Sequence, residues 1–152
     1  MTYLIIAAIM LAAVAPLLHF VPSKRQRALA GLRERAAVAG LFVEFRDLPG
    51  AELDHRPTSA ATRQVIYYGR RLPPSRGKNA RSGSWRTVDG TWRGVVRRKS
   101  VPAGLHDLPP QILAASIDES SCGLYWREEG EAEIVDQIIA TLSTWSVDIV
   151  EE

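Results

Sequence analysis

The chain has 152 residues and a formal charge of +2 at pH 7. Once its apolar leading segment is set aside, about 130 residues remain, room for one domain with a modest core and no more. The lone Cys122 excludes an internal disulfide and fits a reducing compartment. The near-neutral total hides a lopsided distribution. From Arg63 to Lys99 there are eleven Lys and Arg against one acid, Asp89, and from Asp107 to Glu152 eleven acids against one base, Arg127.

The first element is the uncharged run Tyr3 to Val21, YLIIAAIMLAAVAPLLHFV. As a helix it measures about 28 Å at about 1.5 Å per residue, close to the hydrocarbon thickness of a bilayer, so residues 1–22 are expected to form a transmembrane anchor. A cleavable signal peptide is the competing reading, and Ala13-Val14-Ala15 offers a small-x-small site. However, Met1-Thr2 lacks the positive charge that such a peptide carries ahead of its apolar run. The cations follow instead, at Lys24, Arg25, Arg27, Arg33 and Arg35, which by the positive-inside rule places the rest of the chain in the cytoplasm. Ala8, Ala12 and Ala15 share a small-residue face on which another membrane helix can pack. Pro16 can kink the last turn, and His19 lies at headgroup depth.

Residues 23–40 predict a juxtamembrane helix, capped by Ser23 and stopped by Gly40, with Leu29, Leu32, Ala36 and Ala39 as its apolar stripe. A basic first turn opposes the helix dipole. Anionic lipid accounts for it, at about 1 kcal/mol per Lys or Arg near the surface, so Lys24, Arg25 and Arg27 are expected to touch the membrane.

The remaining expectation is a small cytoplasmic α+β domain over residues 41–147, followed by an acidic, fraying tail at 148–152. Leu41–Arg46 and Gln64–Tyr68 predict strands, with Leu48–Thr62 between them a loop. Arg71–Ser84 is a second loop, rich in Pro, Gly and Arg. Trp85–Arg98 predicts a hairpin turning at Asp89-Gly90, the dipeptide of a type I′ turn. Pairing Val88 with Thr91 sets Arg86 opposite Arg93 and puts Trp85, Thr87, Trp92 and Val96 on one face, with Arg86, Arg93 and Arg97 on the other. Directly opposed like charges destabilise a sheet, so this arginine face calls for an anion: lipid phosphate, nucleic acid or the chain's own acidic end. Pro109-Pro110 predicts a short helix over Gln111–Ile117, and Cys122–Arg127 a further strand. The last helix is expected from Glu131 to about Trp145, buried along Ile134, Ile138, Leu142 and Trp145. The sum is a four- to five-stranded mixed or antiparallel sheet with the last helix packed on it.

No catalytic constellation emerges. His19, His55 and His106 lack metal-ligand spacing, and Glu52-Leu53-Asp54-His55 has the composition of a solvated loop. Gly77-Lys78-Asn79 fails the phosphate-loop pattern, no serine lies in a nucleophile elbow, and Cys122 falls inside an apolar strand. No cofactor or metal is expected. Nucleic acid is the poorer of the anionic partners, because Trp85 and Trp92 face away from the arginines and cannot stack bases beside them.

The stretch Leu17–Arg27, LLHFVPSKRQR, and the helix after it give an order of parts that resembles the small YajC-type accessory subunit of the bacterial preprotein translocase. That family is similar in its N-terminal span, its Pro-containing basic junction, its polar helix and its short β-rich cytoplasmic region. The resemblance covers about a quarter of the chain and carries over no functional residues; the Arg-rich loop, the Asp89-Gly90 hairpin and the acidic last helix depart from it. It implies a single-pass protein of the bacterial inner membrane. The expected role is a non-catalytic adaptor or accessory subunit of a larger inner-membrane complex, with lipids and membrane proteins as partners. An anionic-ligand module and a membrane-associated enzyme are the alternatives.

Overall fold

The computed structural model describes residues 1–7, 9–10, 22–50, 65–74, 81–95 and 99–151. These fall into two compact units, Met1–Gly31 and Leu32–Glu152. In the first, residues 2–7 are helical. Among the described residues no helix is long and apolar enough to cross a membrane. The expected anchor rests largely on Ala8 and residues 11–21, which lie outside the described residues, and with them Ala12, Ala15, Pro16 and His19.

Helix α1 spans Lys24–Val38. Its start is a capping box: Ser23 Oγ accepts from the Gln26 amide at 3.2 Å while Gln26 Oε1 accepts from the Ser23 amide at 2.8 Å. Its end is equally defined. Gly40, at φ +82°, takes the left-handed conformation that turns the chain out of the helix. Its amide bonds the Ala37 carbonyl and the Leu41 amide bonds the Ala36 carbonyl, each at 3.0 Å, a Schellman stop. Both ends fall where the expected Ser23 and Gly40 signals put them.

The second unit is built on six strands: β1 (Phe42–Phe45), β2 (Ile66–Arg71), β3 (Gly83–Val88), β4 (Thr91–Gly94), β5 (Ile112–Ile117) and β6 (Ser121–Trp126), followed by helix α2 (Ala132–Glu151). They form one sheet in the order β1-β2-β6-β5-β3-β4. Every adjacent pair is antiparallel. The architecture is therefore α+β as expected, with six strands rather than four to five and, among the described residues, no parallel pairing.

The β3–β4 hairpin has the expected register, Val88↔Thr91 through Trp85↔Gly94, and Asp89 (φ 51°) and Gly90 (φ 73°) are both left-handed, as a type I′ turn requires. The segment after Pro109-Pro110 corrects the sequence reading: it is strand β5, not a helix. Ala114 and Ala115 favour helix in isolation. In a central strand, though, both lie fully buried on opposite faces, opposite Tyr125 and Leu124, where a small side chain leaves room for large neighbours. Packing outweighs propensity. A register shift between Ile112 and Ala114 brings Leu113 to the same side as Ala114. The other correction is to the tail. Helix α2 continues to Glu151 because Trp145, Ser146 and Ile149 extend its buried stripe beyond Val135, Ile138 and Leu142.

The main core lies between the sheet and α2. Ile66, Tyr68, Trp85, Trp92, Ile112, Ala115, Cys122, Leu124 and Trp126 meet Val135, Ile138, Leu142, Trp145 and Ile149 there. The opposite face carries a smaller cluster of Leu48, Val65, Tyr67, Ala114 and Tyr125. The chain leaving β1 folds back across that face: Leu48 is buried in the cluster, and Gly50 lies against Val95, where a Cβ would meet a valine methyl.

Candidate functional site

The basic residues of α1 divide into two groups. Lys24, Arg25 and Arg27, expected at the membrane surface, are exposed, and no acid shares their turn. Arg27 Nε donates to the Pro22 carbonyl at 3.1 Å. Arg33 and Arg35, farther along the same helix, are taken up by the chain's own carboxylates. Arg33 grips Glu128 with two parallel bonds, Nε–Oε1 at 2.8 Å and Nη2–Oε2 at 2.6 Å. Arg35 grips Asp136 in the same way, at 2.6 and 2.8 Å.

These two pairs differ in setting. The Arg35 and Asp136 side chains are both about half exposed, whereas Glu128 is only 3% exposed and Arg33 37%. The Tyr68 hydroxyl adds a bond to Glu128 Oε1 at 3.0 Å, and the Arg33 guanidinium stands 5.7 Å from the centre of the Phe45 ring. The hydrogen bond to Glu128 holds the Arg33 pKa above its ordinary value. Burial, then the adjacent Glu128 charge, pushes the Tyr68 phenol up. Glu128 itself sits at φ 51°, the left-handed region that a side chain rarely adopts, at the turn into α2. No local pattern in the sequence marks Arg33 and Glu128 as partners, for they are 95 residues apart.

Of the hairpin arginines, Arg86 and Arg93 have the expected register. Arg86 and Arg93 are directly opposed. By strand alternation they lie on the sheet face away from α2, with Arg86 half-buried and Arg93 exposed. Arg97 lies outside the described residues, as do Val96, Lys78 and the Glu52–His55 group. Trp85 and Trp92 are buried on the α2 side. Trp85 packs edge-on to Trp145 at 5.7 Å, and its ring nitrogen donates to the Ser100 carbonyl at 2.9 Å. Neither indole is open to a stacked base.

The residues that could have supplied chemistry are placed structurally. Cys122 is fully buried, and burial pushes its thiol up to about 11, away from the thiolate a nucleophile needs. Asp118 closes the β5–β6 turn, accepting from the amides of Ser120 and Ser121 at 2.9 and 2.7 Å and from both hydroxyls. Among the described residues no three His, Cys, Asp or Glu side chains come together to hold a metal ion. Two cavities were not legible in the sequence. One, of about 440 Å³, lies between Trp85, Ser100, Pro102, Trp145 and Asp148; the other, of about 340 Å³, between Trp92, His106, Pro109 and Pro110. Both depend on loops that return to the sheet from far along the chain, which periodicity does not reveal.

The chain matches no family model, no curated protein and no solved structure.

Proposed function

We propose that this protein is a membrane-anchored, non-catalytic adaptor or accessory subunit of a larger bacterial inner-membrane complex, with its α+β domain in the cytoplasm. One observation carries the reading: Lys24, Arg25 and Arg27 are exposed in the first turns of α1, while Arg33 and Arg35 on the same helix are consumed by Glu128 and Asp136. The three exposed cations directly follow the apolar run and suit an anionic headgroup layer, at about 1 kcal/mol each. The order of parts around Leu17–Arg27, with its likeness to the YajC-type translocase subunit, supports the accessory role.

The test has two arms. Full-length protein expressed in bacteria is fractionated and treated with protease from either side of the inner membrane. It is also crosslinked in intact cells and purified in mild detergent for mass spectrometry. The reading expects carbonate-resistant membrane association, a domain digested only from the cytoplasmic side, and reproducible crosslinks to one integral membrane complex. A mature chain beginning near Pro16, digestion from the periplasmic side, or a partner-free monomer overturns it.

A further inference from the structure

The second half of α1 is attached to the rest of its unit in an unusual way. Helix α2 buries Val135, Ile138, Leu142, Trp145, Ser146 and Ile149, and its hold on the sheet is mainly apolar, with one bond from Arg70 Nη1 to Ser143 Oγ at 2.8 Å. Helix α1 buries Ala36 alone; Leu32 is only partly covered, and Val38 is 85% exposed. What ties residues 32–38 down is charge, through Arg33–Glu128 and Arg35–Asp136. Between half-exposed side chains water screens the ion pair, so its contribution is modest and no buried charge is left behind when it is broken. The pair with a buried carboxylate is different: with its arginine gone, Glu128 would be left desolvated with no cation beside it and only the Tyr68 hydroxyl as a partner, and the docked state would lose its advantage. The Ser23–Gln26 box and the Gly40 stop cap α1 from within, so the helix needs no docking contact to satisfy its ends.

We propose that residues 32–38 form a releasable strap, locked by the single arginine Arg33 in a notch made by Glu128, Tyr68 and Phe45, and hinged at Gly40. On release the helix leaves intact and uncovers the Glu128 carboxylate and the Tyr68 hydroxyl, while the β2–β6 core and α2 stay folded. The strap is a property of the folded unit and does not depend on the membrane reading, so either can fail alone.

Hydrogen exchange followed by mass spectrometry on the full chain tests this. In the unaltered protein the amides of 32–41 are expected to exchange by a local opening at least tenfold more frequent than that of β2, β6 and α2. Arg33→Gln and Glu128→Gln are each expected to raise that opening about ten- to a hundredfold while β2 and β6 change less than about threefold, and Arg33→Lys to fall between. Arg35→Gln is expected to change it less than threefold. Equal protection of α1 and the sheet in the unaltered protein overturns the strap, and this comparison stands even if a variant fails to fold. So does loss of protection in both together on Arg33→Gln, or unchanged exchange of α1. An effect of Arg35→Gln as large as that of Arg33→Gln overturns Arg33 as the lock.

Discussion

The two faces of the sheet are packed by different physics. On the α2 side, large apolar side chains from strand and helix interdigitate in the way periodicity leads one to expect. On the other side the centre is an aromatic slot. Gly69 and Gly123 are directly paired neighbours in β2 and β6, and neither has a side chain to stand above the sheet. The Tyr67 ring lies over them; a Cβ on either glycine would run into it. Tyr125 flanks the ring at 4.9 Å and Phe42 at 5.8 Å, and the Arg46 guanidinium lies on it at 4.0 Å. The Tyr67 hydroxyl meets Ser121 Oγ at 3.4 Å. One face is held by area, the other by fit around two absent side chains.

That contrast is broken most forcefully from the α2 side. Leu142 is fully buried between helix and sheet, so Leu142→Ala should cost about 2–5 kcal/mol through lost burial and an unfilled cavity. The check is urea unfolding at constant m-value. A loss below 1 kcal/mol would mean that α2 repacks freely and that the apolar face is not the main support.

The glycine slot should be the next most sensitive. Gly123→Ala removes unfolded-state freedom, an effect of about 0.4–1 kcal/mol in favour of folding. It also drives a methyl into a ring hemmed in on three sides, and overpacking costs about 1–3 kcal/mol. The clash wins, so net destabilisation is expected. A double-mutant cycle sharpens the point: in a Tyr67→Leu background the same substitution should be close to neutral, a coupling energy above about 1 kcal/mol. Equal effects in both backgrounds would show that the ring is not what the glycines accommodate.

These differences explain what could be read from the sequence. Periodicity locates α2, and the Asp89-Gly90 turn fixes the hairpin register to the residue. Ser23 and Gly40 bound α1, because capping is a local signal. The β5 segment was not legible, since Ala114 and Ala115 carry no strand signature until Tyr125 and Leu124 are known to lie across from them. Nor was the Tyr67 slot, which needs two glycines from strands 54 residues apart to become neighbours. The Arg33–Glu128 notch was hidden for the same reason: a charged helix face looks solvated until its buried partner is found. The expected anchor face at Ala8, Ala12 and Ala15 and the hairpin's Arg97 lie outside the described residues.

Arg46 tests the second face with a smaller change. Its guanidinium covers Tyr67 while its nitrogens reach Glu44 at 2.8 Å and Asp118 at 3.5 Å. Arg46→Ala should cost about 0.5–2 kcal/mol, the range of a partly desolvated cation over an aromatic ring. Arg46→Lys should recover only part of that, because an ammonium cannot lie flat on the ring. Full recovery by lysine would assign the effect to the ion pairs rather than to the stacked plane.

The last expected effects are those of pH, which are felt only far from neutrality and act on the two faces in different ways. Burial pushes the Tyr67 phenol up to about 12, outweighing the Ser121 hydrogen bond and the Arg46 charge, which act downward. A raised acid favours its neutral form when folded. Its contribution is thus complete below the unfolded value of about 10 and is lost as pH rises from there through about 12. Asp118, on the turn that Arg46 reaches, has the opposite sign. Partial desolvation lifts its pKa, but the bonds from Ser120 and Ser121 outweigh that and hold it below the usual carboxylate range. Its contribution is complete above an unfolded value of about 3.9 and is lost as pH falls through the lower folded value. Tyr67→Phe should therefore flatten the alkaline limb of the stability profile, and Asp118→Asn the acid limb, each without altering the other. Cys122, its thiol raised to about 11 by burial on the α2 face, adds to the alkaline limb from the opposite side of the sheet. Cys122→Ala removes the share of the thiol: whatever alkaline sensitivity survives in it belongs to the buried phenols of Tyr67 and Tyr68, and its complete disappearance would assign the alkaline weakness to Cys122 instead.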